Sequence, residues 1–576
     1  MKQRENILLL FFLAALTSAF LIYYPHTLGW MESTDYFIWE RTFLLGKLAE
    51  APGVTACLNN YLLQFFRWAV AGALIEGLLL TATALLFGLT QKAMKRQGIP
   101  ALGLLLPLFL VLVAPLRLDV YLEGFFFMFF VWLGIRLKTR VPKVVFLLLL
   151  APVGFFLIPW PLLALAILMV VAEANLKKAD AFVIGAGVMA LALSVGIVFF
   201  SNVCIGFIPF EKRFLYSPVE GLNGLIFLAV FVVSLLLLFV PAFNKGGVKG
   251  WIPFALGVAI TVVVLVLFGK KAEMREEEKT YQYAYLADRN EWEQLLKTIP
   301  MSEMLVNKAA VVHALLAESE LGGLGNDLFY YPVPNTDEFL YKNGGNAYCY
   351  DFNRKFYECL GLFDEAIHQA IISGISCKEG MSFGSLRHIV LYEIQENELK
   401  MADKYLSLLD RSTCHSFFVK KMRAAIQKKH AIACNKPIID KTFVGAYPLF
   451  VEARMLLYRW PNNKKLLDYY LCGLLLERQP VKFTLALNEF SYYREHKLPR
   501  AYAEALAMAM QSKAAETADS FNPSFELGDQ FVQFISNFQR DPDPASLQEY
   551  KGTYWYYFYL MPKITRGNNP LTDNKK

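Results

Sequence analysis

Three carboxylates, Glu32, Asp35 and Glu40, follow closely on the first long apolar run of this chain. A carboxylate held at a membrane edge can take a proton from a hydroxyl or coordinate a divalent cation. Acids also cap helix N-termini and solvate loops, and this spacing fits that role as well. Glu76 is a different case, because it lies inside the apolar run Trp68–Leu89. An ionisable group within hydrocarbon is costly and marks a functional position by default. Its structural alternative is a protonated side chain, or one bonded to a neighbouring helix. Glu123 stands near Asp119 at the start of a later run. Arg117, Lys212 and Arg213 are cations between runs. They are candidates to hold a lipid phosphate, or simply to anchor span ends among headgroups. The cysteines (Cys57, Cys204, Cys349, Cys359, Cys377, Cys414, Cys434, Cys472) form no CxxC pair, and the histidines form no HExxH. No metal site is assigned from them, and disulfide pairing is left open.

The elements that must position these residues follow from an asymmetry along the chain. The 576 residues are 56% hydrophobic and carry a net charge of +7. Their mean hydropathy is +0.36. From Ile7 to Gly269 the apolar residues form long runs; from Lys270 they are interleaved with charge. A bilayer core needs about 20 apolar residues of helix, each closing its own backbone hydrogen bonds. Clear runs are Ile7–Tyr24, Trp68–Leu89, Ala181–Phe200, Leu222–Phe243 and Trp251–Phe268. Two hairpins, Pro100–Leu116 with Val120–Leu137 and Val144–Ile158 with Pro161–Ala174, bring the total to about nine spans. The second hairpin is short enough to be re-entrant instead. The resulting layout is a transmembrane domain over 1–269, a juxtamembrane linker over 270–280 and a helical domain over 281–576.

Direction follows from the Lys and Arg distribution. With a cytoplasmic N-terminus, the inner segments carry Lys2 and Arg4, then Lys92, Lys95 and Arg96, then Arg136, Lys138, Arg140 and Lys143, with Lys177, Lys178, Lys245 and Lys249 beyond. The outer loops hold fewer, mostly beside acids. Nine spans then place the second half outside, in the periplasm of a bacterial inner membrane. Lys270, Lys271 and Arg275 run against this pattern, with Glu273 and Glu276 to Glu278 beside them. The basic excess serves topology, and no patch calls for nucleic acid.

The longest outer loop, 25–67, carries two apolar stripes. One runs from Phe37 and Ile38 to Leu48, and the other joins Leu58, Leu62, Phe65 and Phe66, with Pro52-Gly53 between them. Two short surface helices satisfy both stripes. Beyond Tyr281 the pattern is that of short amphipathic helices. The segment Tyr357 to Ala366, with Leu360-Gly361 at its centre, resembles the middle of a tetratricopeptide repeat. Ala402 follows Ala366 by 36 positions, near a helical-hairpin period. The expected fold class is therefore all-α, a polytopic bundle followed by an α-solenoid-like, TPR-like soluble domain. An irregular helical bundle is the alternative. The aromatic stretch Tyr554–Tyr559 is expected to cap the domain or touch the membrane surface.

Two resemblances bear on function. The loop from Leu48 through Pro52-Gly53-Val54 to Gln64-Phe65-Phe66 resembles a family of uncharacterised Bacteroidetes polytopic membrane proteins. That family carries a Pro-Gly-Gly turn, where this chain has Val54 in place of the second glycine. The resemblance implies class and compartment but no mechanism. The layout of Ile7 to Gly88, with an outer domain after the spans, is similar to the GT-C glycosyltransferases. That likeness implies Asp35 or Glu32 as catalytic base or ligand to a divalent cation, with a polyprenyl-phosphate-linked sugar as donor. The competing reading is a membrane-anchored protein whose helical half binds a protein or peptide, because repeat-like helices are generally binding surfaces. A transporter fits less well, since no inverted repeat is visible. Membrane lipid is a partner on every reading.

Overall fold

The computed structural model describes residues 2–49, 52–94, 100–158, 162–174, 180–204, 252–342, 345–432, 449–511, 521 and 525–567. These residues are helical and include no strand. They divide into two compact units. The first comprises 1–278 with 382–384 and 404–425; the second comprises 279–381, 385–403 and 426–576.

The first unit begins with α1 (Lys2–Tyr23). Three short helices follow: α2 (Pro25–Ser33), α3 (Arg41–Leu48) and α4 (Gly53–Leu63). Then come α5 (Ala69–Ala93), α6 (Leu105–Val113), α7 (Leu118–Arg136), α8 (Arg140–Leu157), α9 (Leu162–Ala174), α10 (Ala181–Cys204) and α11 (Ile252–Gly269). Among the described residues five helices, α1, α5, α7, α8 and α11, are long and apolar enough to cross a membrane. The run Pro100–Leu116, expected as one continuous span, is instead a turn of helix at Pro100–Gly103 followed by the nine-residue α6. The expected span Leu222–Phe243 lies outside the described residues, and α9, at 13 residues, is short.

Close contacts fix the direction of these helices. A Cβ on Gly257 of α11 would lie 3.2 Å from Leu8, and one on Gly269 would strike the ring of Tyr23. Leu8 and Tyr23 are at successive levels of α1, so α1 and α11 run parallel. The Tyr24 hydroxyl donates to the Phe268 carbonyl at 2.8 Å, tying the two ends together. In contrast, Lys92 at the end of α5 pairs with Glu5 at the start of α1, so these two run antiparallel. At the other junction Lys143 of α8 pairs with Glu173 of α9, and Arg140 meets Asp180 at 3.4 Å. Facing helices approach at glycines: a Cβ on Gly77 of α5 would sit 2.7 Å from the Thr17 hydroxyl oxygen of α1. Small residues let membrane helices pack this closely, where apolar surface alone gives no preference over lipid.

The chain leaves the first unit through α12 (Ala272–Asp288), so 270–280, expected as a linker, is largely helical. The buried Met274, Tyr283, Leu286 and Ala287 alternate with charged residues along this helix. Glu278, on this helix, caps α2. Its carboxylate accepts from the backbone N–H of His26 (3.0 Å) and of Thr27 (2.8 Å), and from the Thr27 hydroxyl (2.6 Å). Pro25 occupies the first turn, where no N–H is needed. A remote acid thus supplies the cap that the local sequence lacks, and its charge favours the helix N-terminus.

The second unit continues with α13 (Trp292–Thr298), α14 (Lys308–Leu321), α15 (Ala347–Leu360) and α16 (Phe363–Ile375). Next are α17 (Phe383–Gln395), α18 (Leu399–Leu409) and α19 (Ser416–Ile432), parts of which belong to the first unit. The rest are α20 (Leu449–Leu457), α21 (Lys464–Leu476), α22 (Pro480–Glu489), α23 (Arg500–Gln511), α24 (Phe525–Arg540) and α25 (Tyr554–Gly567). Asn307, Asn346 and Asn463 cap α14, α15 and α21 through their side-chain oxygens. Gly361 closes α15 with φ +77°, and so turns the chain directly into α16. Ala366 and Ala402, the two small residues that suggest a hairpin period, are both fully buried. The aromatic stretch near the end forms α25, with Tyr554 and Trp555 buried in the core of this unit.

Candidate functional site

The acids of the first loop gather at one end of the first unit, against the turn formed by residues 411–415. Trp39 N–H donates to the Arg411 carbonyl at 2.9 Å, and its indole N–H donates to the Thr413 hydroxyl at 3.0 Å. The Gln64 side-chain oxygen accepts from the Thr413 N–H at 2.9 Å. Glu40 forms an exposed ion pair with Arg411. The Phe383 N–H donates to the Asp35 carbonyl at 2.8 Å, and a Cβ on Gly384 would lie 2.8 Å from the Ser33 carbonyl. The loop therefore meets two stretches of chain more than 300 residues distant.

Glu32 stands at the centre of this cluster. Its carboxylate lies 2.9 Å from His415 Nε2, and both side chains are buried. On the other side of the ring, Nδ1 is 2.8 Å from the Ser412 hydroxyl, which in turn lies 2.7 Å from the Leu409 carbonyl. Phe383 stacks on the imidazole at 4.2 Å between centroids. The proton count of these contacts is informative. The Ser412 hydroxyl has one proton, and the Leu409 carbonyl needs it. Every one of these contacts is then satisfied when His415 donates from both nitrogens, as an imidazolium beside the Glu32 carboxylate. His415 also sits at the N-cap position of α19, with its carbonyl accepting from Val419. Chemically this is a closed clamp between the loop and residues 411–415.

The remaining sequence candidates separate. Asp35 is buried at the same end, while Arg117 forms a two-pronged, exposed pair with Asp119 at 2.9 and 2.8 Å. Lys212 and Arg213 lie outside the described residues. Glu123 is buried on α7. Glu76 is fully buried on α5, and neither carboxyl oxygen has a hydrogen-bond partner among the described residues. No three His, Cys, Asp or Glu residues gather as metal ligands among the described residues, and Cys349, Cys359, Cys414 and Cys472 carry free thiols. The Glu32 carboxylate is already engaged by His415. Two partners left no local sequence signal, because His415 is 383 positions from Glu32 and Glu278 is 251 from Thr27.

The second unit holds a different polar cluster, around Arg354. This side chain is 1% exposed and reaches Asp288 at 2.6 Å, Asp351 at 2.8 Å, Glu358 at 3.1 Å and the Tyr392 hydroxyl at 2.7 Å. Burial alone would raise the Asp288 carboxyl, but Arg354, His388 and Lys355 together outweigh it and hold the group down to about 2. His388 beside it is pushed down to about 3, by burial first and then by Arg354. The spacing Asp351, Arg354, Glu358 on one helix face is a signal that the sequence does carry.

The second unit also exposes an apolar face. On α20 and just beyond it, Met455 and Tyr458 are 58% and 60% exposed; on α22, Val481 and Leu485 are 46% and 52% exposed. Glu489 joins the two helices, pairing with Arg454 at 3.3 Å and accepting from the Tyr458 hydroxyl. Leu485 lies one turn before Glu489, and Val481 one turn before that, so they share its side of α22.

Neither a curated protein nor a solved structure gives a match to this chain. A family model does match, over residues 1–561. The chain belongs to the family of unknown function DUF6057.

Proposed function

We propose that this is a multi-pass protein of a bacterial inner membrane, carrying a solenoid-like helical unit on the extracytoplasmic side, where that unit binds a protein or peptide. The observation that carries the binding reading is the exposed face of Met455, Tyr458, Val481 and Leu485, rimmed by the Arg454–Glu489 pair. The unit has a complete apolar core, so these residues are not needed inside it. Apolar patches with a polar rim mark interaction sites on folded domains. The parallel course of α1 and α11 fits nine spans, since any odd total gives the first and last span the same direction. The buried Ala366 and Ala402, near a helical-hairpin period apart, support the solenoid-like reading. A photo-crosslinking residue placed at Met455 in the native cell should yield a discrete adduct that Leu485→Asp elsewhere on the face removes. Equal yields from Leu305, exposed on a different segment of the chain, would refute the assignment.

A second reading, a GT-C-like glycosyltransferase using a polyprenyl-phosphate-linked sugar, is favoured by one observation. Glu32, Asp35 and His415 converge at the end of the first two long helices. On that reading Asp35 acts as base on the acceptor hydroxyl while Glu32 orients His415. Asp35→Asn should then cost about 10²–10⁴ in rate, and full activity of that variant would end this reading.

A further inference from the structure

Neither reading uses Glu76, and no hydrogen-bond partner among the described residues explains it. It is fully buried, both carboxyl oxygens lack a hydrogen-bond partner among the described residues, and it sits within a helix long and apolar enough to span a membrane. A second orphan lies at the same α1–α5 contact, one residue along. The Thr17 hydroxyl oxygen of α1 is also buried without a partner, and it lies against Gly77, the next residue on α5. A bare carboxylate in such surroundings is costly, and a proton removes that cost.

We propose that Glu76 is a proton-binding site inside the bundle, exchanging its proton with the end of the bundle that carries residues 25–67. The choice of ligand follows from the donors. A metal ion needs several oxygens, and among the described residues no other carboxylate joins Glu76 in a ligand cluster. The choice of end follows from distance. Glu76 is seven residues from the start of α5 and seventeen from its finish, roughly 10 Å against 25 Å along the helix.

The neighbouring elements supply few other charges. From α7, Tyr121 comes within electrostatic reach, and the same helix carries Glu123 and Asp119. α1 offers only Thr17 at this level, and α6 and the turn Pro100–Gly103 hold no ionisable residue. Arg67 closes the turn before α5; on α2, His26 pairs with Glu278 and Glu32 with His415. No cation meets Glu76 among these contacts, so its charge state answers to the proton.

The test uses the full chain in lipid vesicles. Infrared difference spectra of the wild type against Glu76→Gln should isolate one protonated-carboxyl C=O band. That band should bleach reversibly as pH rises from about 5 to about 10, falling about tenfold per pH unit beyond its midpoint. A hydrophobic carbodiimide, which attacks protonated carboxyls, gives a readout that needs no variant. Labelling of the Glu76 peptide, read by mass spectrometry, should fall over the same range. Absence of the band, absence of labelling at acidic pH, or a band and labelling that persist unchanged to pH 10 would each overturn the proposal.

Discussion

Arg354 and Glu76 are about equally buried, yet the company they keep is opposite. Arg354 meets three carboxylates and a tyrosine hydroxyl, whereas Glu76 meets no hydrogen-bond partner among the described residues. A buried charge with every donor satisfied is part of the framework, and removing one member leaves the others uncompensated. A buried acid with nothing to satisfy contributes no hydrogen bond, so its retention asks for a reason other than stability. Burial by itself therefore does not identify a site. The number of partners does. The Glu32–His415 pair stands between these extremes, satisfied by two or three contacts but built on a ring whose charge can change.

The largest effect that would break this comparison is expected at Arg354. Arg354→Met should cost about 3–5 kcal/mol, seen as a large fall in the unfolding midpoint of the helical unit. A midpoint within a degree of the wild type would show that the network is ornamental. Glu504 tests the same logic through pH. Burial pushes its carboxyl up to about 7, despite the Tyr554 N–H that it accepts and the nearby Arg500. Because the folded value lies above the usual 4.5, the group's favourable contribution is complete below about 4.5. It is lost as pH rises through about 7. Relative to Glu504→Gln, the wild type should lose roughly 3 kcal/mol across that window. A constant difference between the two proteins would contradict the sign.

The smaller effects sharpen the comparison. His415→Ala leaves the buried Glu32 carboxylate without a principal partner, so it should cost about 1–3 kcal/mol. It should also raise protease cleavage around residues 411–415; unchanged digestion would mean that the clamp holds nothing. Glu76→Gln removes no hydrogen bond and should change stability by less than about 1 kcal/mol. A loss comparable to that of Arg354→Met would reveal a partner for Glu76 and move it into the framework class.

Much of the fold is written in local pattern. The run at Trp68–Leu89 became α5, and the Pro52-Gly53 break separates α3 from α4, because periodicity and backbone restriction act over a few residues. Leu360-Gly361 turns one helix into the next for the same reason. The candidate site was legible only by half. Glu32, Asp35 and Glu76 stand out as acids in apolar surroundings, but His415 and Glu278 are recruited by tertiary packing across hundreds of residues. Nor does composition distinguish a continuous span from the broken pair Pro100–Gly103 and Leu105–Val113; Pro107 and the glycine at 103 decide it locally. The exposed face on α20 and α22 was hidden for a related reason. Met455 and Leu485 look like core residues until the core is complete without them.

The central claim is that the helical unit's apolar face, rather than the acids of the first loop, carries the function. Complementation of a deletion strain tests it most directly, with protein level and membrane insertion checked for every variant. The account predicts that Met455→Asp with Leu485→Asp fails to restore the phenotype at wild-type abundance, while Asp35→Asn restores it. The reverse result, with the double variant active and Asp35→Asn inactive, would contradict the binding reading and return the function to the loop.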